Sequence, residues 1–174
     1  MKQFNKNTKH TKELLFIAAA LPTAAMHKSE NLEHIYSTGQ KIVATDGHRL
    51  HIYTPTECPL EAGYYQVIKK TKTEIILNPV ELDQEYPDFE RITPDREGKK
   101  DFTLYQYDNG RTAAPNLESK YAEVIRALPS GTINIKYFQD ACLNSMTSFK
   151  VTDGVSPVCL YGESLQAVVM PVMR

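Results

Sequence analysis

Three short strand-like runs near the start of the chain are joined by turns of only two or three residues, and this spacing constrains the fold most strongly. The runs are residues 32–37, 41–45 and 49–54. The links are Thr38-Gly39-Gln40 and Asp46-Gly47, and both compositions are typical of hairpin turns. Since links this short join only neighbouring antiparallel strands, the sequence predicts an antiparallel meander.

The rest of the chain predicts an α+β fold in which helices cover one face of antiparallel sheets. One helix is expected over 11–21, capped by Thr11, and another over 117–128. Further strands are expected at residues 63–70, 73–79, 101–108, 148–153, 156–162 and 165–173. The order of one helix and three strands occurs over 11–54 and again over 136–172, which indicates a duplicated unit.

Residues 79–101 separate the two halves of this pattern. They lack a regular hydrophobic period and include prolines and the charged run "PDREGKKD". These features are typical of a surface linker.

Composition and charge exclude several classes of protein. The chain has 20 Lys+Arg and 21 Asp+Glu, so any DNA contact must come from a local basic face. Its three cysteines have no CxxC spacing, which argues for a reducing compartment and against a disulfide framework or a structural zinc site. No stretch is long enough to span a bilayer, and Glu13 adjoins the short apolar run near the start. We therefore expect a soluble cytoplasmic protein.

The Asp46-Gly47 bend is predicted to aim His48 and Arg49 away from the sheet. These residues could belong to a catalytic site, a metal site, a docking surface or an ordinary turn. His48 and His51 suit a shared metal poorly, because residues three apart on a strand point to opposite faces. No hydrolase motif or phosphate-binding glycine loop is present. A metal-dependent hydrolase using Asp46, His48 and His51 is thus a less favoured alternative, and we expect no enzyme activity, metal or cofactor.

Five segments are informative when taken together and in order. They are "VATDGHRL" (43–50), "YPDFERITP" (86–94), "NIKYFQDACLN" (134–144), "VTDGVSPVCL" (151–160) and "AVVMPVMR" (167–174). In this order they resemble the bacterial sliding clamp family, the β subunit of DNA polymerase III. The resemblance implies a clamp-like fold with two reduced domains, similar to the middle domain (1–94) and the last domain (95–174) of the family.

The resemblance also implies a groove between domains that accepts short peptides from polymerases, clamp loaders and repair factors. One part of the groove would comprise Thr45, Leu50, Pro87, Ile92, Pro157 and Val168, with Gly47, His48 and Arg49 at its rim. A second part would comprise Asn134, Tyr137, Val155 and Met170, with Val172, Met173 and Arg174 alongside. Apolar walls and amphipathic edges of this kind are typical of peptide sites.

Double-stranded DNA is a further implied partner, because clamps face the phosphate backbone with basic helices. The candidate contacts, which would be independent of DNA sequence, are Lys6, Lys9, Lys12, Lys28, Lys120, Arg126 and Lys136. The chain is shorter than family members, and two-domain chains can close a ring with more copies, so a homo-oligomer is a further expected partner. Two roles stay open: a replication processivity or recruitment factor, and a non-encircling competitor or adaptor that sequesters clamp-binding peptides.

Overall fold

The computed structural model describes residues 1–23, 29–93, 101–103, 117–128, 131–143, 146, 148–151 and 156–172. The chain forms two compact units, Met1–Phe89 (unit 1) and Glu90–Arg174 (unit 2). Both units combine antiparallel strands with helices, so the predicted α+β class is confirmed. The assignment of 1–94 and 95–174 to particular domains of a family stays a prediction. Among the described residues, every helix is too short or too polar to cross a lipid bilayer.

The described residues of unit 1 form an antiparallel sheet. Its strands are β1 (Lys2–Asn5), β2 (Ile35–Ser37), β3 (Ile42–Thr45), β4 (Arg49–Tyr53), β5 (Gly63–Lys70) and β6 (Glu74–Val80). Within the unit they lie in the order β1-β6-β5-β2-β3-β4. The predicted meander is confirmed, because Tyr36 of β2 lies opposite Val43 of β3, and Thr45 of β3 lies opposite Leu50 of β4.

Two features of unit 1 differ from the sequence prediction. The polar segment Lys2–Asn5 is a strand because β6 supplies its ladder partners, with Lys2 opposite Leu77. The beginning of the strand predicted at 32–37 is instead a 3-10 helix, Glu30–Glu33. In that turn a ring nitrogen of His34, Nδ1, lies 2.8 Å from the carbonyl oxygen of Glu30, and this contact favours a helical turn over an extended strand.

Helix α1 (Thr11–Ala19) packs against β3, β4 and β6 and buries Leu14, Phe16 and Ile17. The prediction that Thr11 caps this helix is wrong. The N-cap is His10, whose φ of +73° is left-handed, and its side chain makes no capping bond. The Thr11 hydroxyl donates instead to the Asn5 carbonyl at 2.6 Å, so it belongs to the preceding turn.

Unit 2 repeats the order of a helix followed by a meander. Its described elements are β7 (Asp101–Thr103), α2 (Leu117–Ala127), β8 (Thr132–Ile133), α3 (Ile135–Ala141), β9 (Ser148–Lys150), β10 (Val158–Tyr161), β11 (Leu165–Val169) and β12 (Pro171–Val172). Within the unit the main sheet has the order β7-β9-β10-β11, and β8 and β12 form a separate ribbon. Helix α3 precedes β9, β10 and β11, as α1 precedes β2, β3 and β4. The helix-then-meander order predicted for both halves is therefore observed in each unit.

The continuous strand predicted over 165–173 divides at Met170. Strand β11 pairs with β10, whereas β12 pairs with β8, where Pro171 lies opposite Ile133. Proline has no backbone N–H to donate to a ladder, which is consistent with the end of the β11 ladder before Pro171. Met170 therefore lies between two sheets of unit 2, with 39% of its surface exposed.

Because of the thiols of Cys142 and Cys159, we expect the free energy of unfolding of unit 2 to depend on pH. Burial raises the pKa of each thiol from 9.0 to about 11. Because the unfolded chain loses these protons first, the free energy of unfolding should fall as the pH rises from 9 towards 11, by at most about 1.4 kcal/mol per pH unit for each thiol. Urea unfolding at about pH 8 and about pH 10 measures this slope.

The control for this prediction is the half-buried thiol of Cys58. Replacing Cys142 and Cys159 together with alanine should flatten the slope, whereas Cys58→Ala should leave it unchanged. An equal slope in all three proteins would contradict the prediction.

Candidate functional site

The bend between β3 and β4 is held by hydrogen bonds from its own side chains. Thr45 Oγ1 donates to the Arg49 carbonyl at 2.6 Å and accepts from the Gly47 amide at 3.0 Å. Asp46 Oδ1 accepts from the amides of His48 at 2.9 Å and Arg49 at 3.1 Å. Gly47 has φ +84°, a conformation that glycine adopts without steric cost. These contacts fix the backbone of the turn.

The side chains of His48 and Arg49 have opposite environments. Arg49 Nε donates to Asp46 Oδ2 at 3.0 Å, and the two side chains are only 6% and 1% exposed. His48 is exposed. The prediction that the bend aims both residues outward is therefore right for His48 and wrong for Arg49. The Asp-to-Arg spacing of three, visible in "DGHR", is the signal for a guanidinium that folds back onto the carboxylate.

The alternative of a hydrolase using Asp46, His48 and His51 gains no support from this geometry. Both oxygens of Asp46 bond to groups of the turn, and the residue is fully buried. The His51 ring is fully buried, stacks on Phe16 at 4.2 Å, and places Nδ1 2.7 Å from the Phe16 carbonyl. Neither side chain can therefore reach a substrate. In the described part of the chain, no group of three or more His, Cys, Asp or Glu residues is arranged to hold a metal ion.

Segment 84–89 follows β6 and is attached to unit 1 through two consecutive carbonyls. Tyr64 Oη donates to the Gln84 carbonyl at 2.6 Å, and Asn31 Nδ2 donates to the Glu85 carbonyl at 2.8 Å. Most of this segment is exposed and has neither helix nor strand, as the prediction of a surface linker over 79–101 requires, and these two bonds fix its backbone to unit 1. Residues 94–100 of that linker lie outside the described residues.

Exposed apolar side chains gather in unit 2 where the ribbon meets α3. Half of the six large apolar residues exposed in the described chain are Ile135 (51%), Met170 (39%) and Val172 (44%). They lie on adjacent elements, because β12 pairs with β8 and only Asn134 separates β8 from α3. Asn134 caps α3 by accepting from the Lys136 amide at 2.9 Å. We call Ile135, Met170 and Val172 the unit 2 apolar patch, and such surfaces typically mark interaction sites.

The residues predicted for the peptide site differ in exposure. The exposed ones are Gly47, His48, Pro87, Ile92, Asn134, Met170 and Val172. Tyr137 and Pro157 are half-buried, and the buried ones are Thr45, Arg49, Leu50 and Val168. Val155, Met173 and Arg174 lie outside the described residues. The buried members belong to strands β3, β4 and β11. Only the exposed and half-buried members can touch a partner in this conformation.

Sequence reasoning missed two residues: Ile135 of the unit 2 apolar patch and Tyr86 of segment 84–89. Ile135 is the first residue of α3, and an apolar residue directly after the cap residue Asn134 could have been recognised as solvent-facing. Tyr86 is the first residue of "YPDF", and nothing in its spacing indicates what its ring contacts.

The candidate DNA contacts also separate by environment. Lys6, Lys9, Lys12, Arg126 and Lys136 are exposed. Lys120 is buried, and its Nζ donates to the Met146 carbonyl at 3.3 Å, so its prediction as a phosphate contact is wrong. Its spacing of four from the buried Val124 was the available signal, because that spacing places both residues on one helix face. Lys28 lies outside the described residues.

The described helices have no net positive charge. Their basic residues are Lys12, Lys120, Arg126 and Lys136, and their acidic residues are Glu13, Glu118, Glu123 and Asp140. Arg126 also pairs with Glu123 at 2.7 Å. Four positive and four negative charges cancel, so α1, α2 and α3 together carry no net positive charge towards phosphates.

No family model and no curated protein sequence matches the chain. Solved structures do match it. The β chain of DNA polymerase III from Streptococcus pneumoniae TIGR4 is 15% identical with a TM-score of 0.60, and the match covers 99% of this chain and 64% of that one. The DNA polymerase sliding clamp from Bacillus subtilis is 12% identical with a TM-score of 0.57, over 99% and 64% of the two chains.

A third similar structure is the β clamp of Helicobacter pylori bound to a DNA ligase peptide. It is 15% identical with a TM-score of 0.56, over 99% of this chain and 66% of that one. At these identities the likeness shows the fold alone, and that fold is the one expected from the five segments. The chain spans about two thirds of the length of the clamps it matches.

Proposed function

We propose that this chain, which shares the fold of bacterial sliding clamps, is a recruitment factor that binds short peptide motifs of polymerases, clamp loaders and related replication proteins. The observation that carries the proposal is the unit 2 apolar patch, which is exposed on a folded unit and includes Met170 and Val172, two residues implied by the resemblance. One of the similar structures is a clamp bound to a DNA ligase peptide, which makes peptide binding a reasonable role for the fold.

The chemistry of the exposed residues suits an apolar peptide with a few polar groups. Met170 has a flexible thioether side chain that adapts to partners of different shape. Val172 adds a branched apolar surface beside it. The half-buried Tyr137 offers an amphipathic edge in the same unit, and the exposed His48 offers one in unit 1; residues of both types are enriched where peptides anchor. The combination favours a leucine- or phenylalanine-containing segment over a highly charged one.

Titration of a labelled consensus clamp-binding peptide tests the proposal directly. We expect saturable binding by the wild type, no binding of a scrambled peptide, and an affinity about three- to tenfold lower for His48→Ala, because an exposed contact contributes modestly. The absence of saturable binding at peptide concentrations up to about 1 mM would contradict the proposal.

A role in replication processivity requires an assembly that encloses DNA. Several copies of a chain with repeated units can close a ring by one repeated interface. Size-exclusion chromatography with light scattering tests this requirement, and a monomer at high concentration would exclude an independent ring.

The second candidate function is a non-encircling competitor or adaptor that sequesters clamp-binding peptides. The cancelled charge of the described helices favours it, because a clamp that slides on DNA needs a positive surface towards the phosphates. In this role the protein would bind peptides without binding DNA.

The competitor role predicts little association with DNA. On primed circular DNA at about 50 mM salt, we expect retention no greater than that of the double variant Lys12→Ala/Lys136→Ala, because the acidic residues of the helices oppose each basic contact. Retention that exceeds that of the variant and is lost by about 200 mM salt would instead favour a DNA-enclosing clamp.

A further inference from the structure

The ring of Tyr86 joins segment 84–89 to the sheet of unit 1. It stacks on Tyr36 at 4.8 Å between centroids with an interplanar angle of 8°. Tyr64 lies 6.1 Å away in a tilted arrangement, and Phe89 lies 6.5 Å away edge-on. Aromatic contacts of this geometry each stabilise beyond their buried area. Tyr36 is on β2 and Tyr64 on β5, so one ring connects the segment to two neighbouring strands.

The Tyr86 hydroxyl lies beside the end of β3. Burial, with a smaller contribution from Tyr64, raises the pKa of the phenol, and the nearby backbone amide of Thr45 opposes this shift. The hydroxyl is inaccessible to solvent. The ring stack also lies next to β3, because Tyr36 is opposite Val43 of that strand. Tyr86 therefore spans the distance from the ring stack to Thr45, where the Asp46-Gly47 turn begins.

The exposed Pro87 follows Tyr86 directly, so the position of the Tyr86 ring determines where Pro87 lies relative to this turn. We propose that Tyr86 is a positioning residue that holds Pro87 beside the Thr45 end of β3, and so assembles a peptide-binding surface of unit 1. This inference rests on the proposed function and adds a residue that touches no peptide itself. The ring contacts with Tyr36 and Tyr64 fix the segment, so the ring is the group expected to position Pro87.

Hydrogen exchange and peptide titration together test the inference. In Tyr86→Leu the stack is lost, so we expect the amides of 84–89 to exchange at least tenfold faster and the peptide dissociation constant to rise at least fivefold. Tyr86→Phe keeps the ring, so both quantities should stay within about twofold of wild type, and the midpoint of thermal unfolding should not fall. Rescue by phenylalanine separates a positioning ring from a hydrogen-bonding hydroxyl.

Two further variants cover the case in which Tyr86→Leu does not fold. Tyr64→Phe removes only the bond to the Gln84 carbonyl, so exchange in 84–89 should accelerate about fivefold without a cavity in the core. Tyr65→Leu is the matched control, since it truncates a buried tyrosine of the same unit whose ring is outside the stack. It should lower the unfolding midpoint and leave the dissociation constant within about twofold of wild type.

Each outcome decides either the proposed peptide binding or the positioning role of Tyr86. If the wild type binds and Tyr86→Leu binds equally well, the positioning role is overturned. If exchange in 84–89 is unchanged in both Tyr86→Leu and Tyr64→Phe, the inference fails whether or not any peptide binds. If no peptide binds the wild type, the proposed function fails, and the exchange data still report whether Tyr86 holds the segment.

Discussion

Asp46→Ala is expected to lower the free energy of unfolding of unit 1 by about 3–5 kcal/mol, the largest stability effect predicted for this chain. Alanine removes the acceptor for the His48 and Arg49 amides and leaves a buried guanidinium without its carboxylate. A buried charge that loses its partner costs far more than a surface ion pair gains. Urea unfolding, combined with hydrogen exchange of the β3 and β4 amides, measures the loss within unit 1.

The double variant Asp46→Ala/Arg49→Met distinguishes the charge effect from the loss of the turn. Methionine removes the guanidinium that has lost its bond to Asp46, so the double variant should be more stable than Asp46→Ala while remaining below wild type. Asp46→Asn keeps one oxygen as an acceptor for the turn amides, so its free energy of unfolding should lie between those of Asp46→Ala and wild type. A loss below about 1 kcal/mol in Asp46→Ala would contradict the importance of the pair.

Met170→Asp is expected to produce the largest effect on binding. The side chain belongs to the unit 2 apolar patch, so a carboxylate there must lose its hydration when an apolar peptide docks. We expect an affinity for the consensus peptide at least about 30-fold weaker, the range of an interface hot spot. Fluorescence anisotropy with the labelled peptide measures the change.

Ile68→Asp is the matched control for this substitution. Ile68 is an apolar residue of β5 with 53% of its surface exposed, and it lies outside every predicted site. The same chemical change there should alter the affinity by less than about twofold, and both variants should keep the wild-type unfolding midpoint because both positions are open to solvent. Equal losses of affinity in the two variants would show that net charge, and not the patch, governs binding.

Local features of the sequence predicted where the strands lie better than they predicted which side chains are buried or exposed. Strand β5 was predicted with its observed bounds of 63–70, because turn residues delimit an apolar and aromatic run. Strand β1 was missed because "KQFN" has no alternation, and its pairing with β6 depends on residues far along the chain. Tertiary contacts of this kind override local preference.

The candidate site shows the same limit at the level of individual residues. The sequence predicted that the Asp46-Gly47 bend would display His48, because a glycine turn forces a change of direction. It did not predict that Arg49 would return to Asp46, since the fate of a long side chain depends on the partners that folding brings within reach. The ring stack of Tyr86 has no local signal, because its members come from separate strands and a loop.

The position of β1 has a consequence for how the protein is made. Lys2–Asn5 is synthesised before its ladder partners, Glu74–Leu77, which emerge after most of unit 1 has been made. The nascent chain must therefore carry β1 unpaired while the intervening residues of unit 1 are synthesised, and this edge of the sheet closes only when the β5–β6 hairpin appears. Contacts of such long sequence separation form slowly, so the closure of this edge is expected to be a late event in the folding of unit 1.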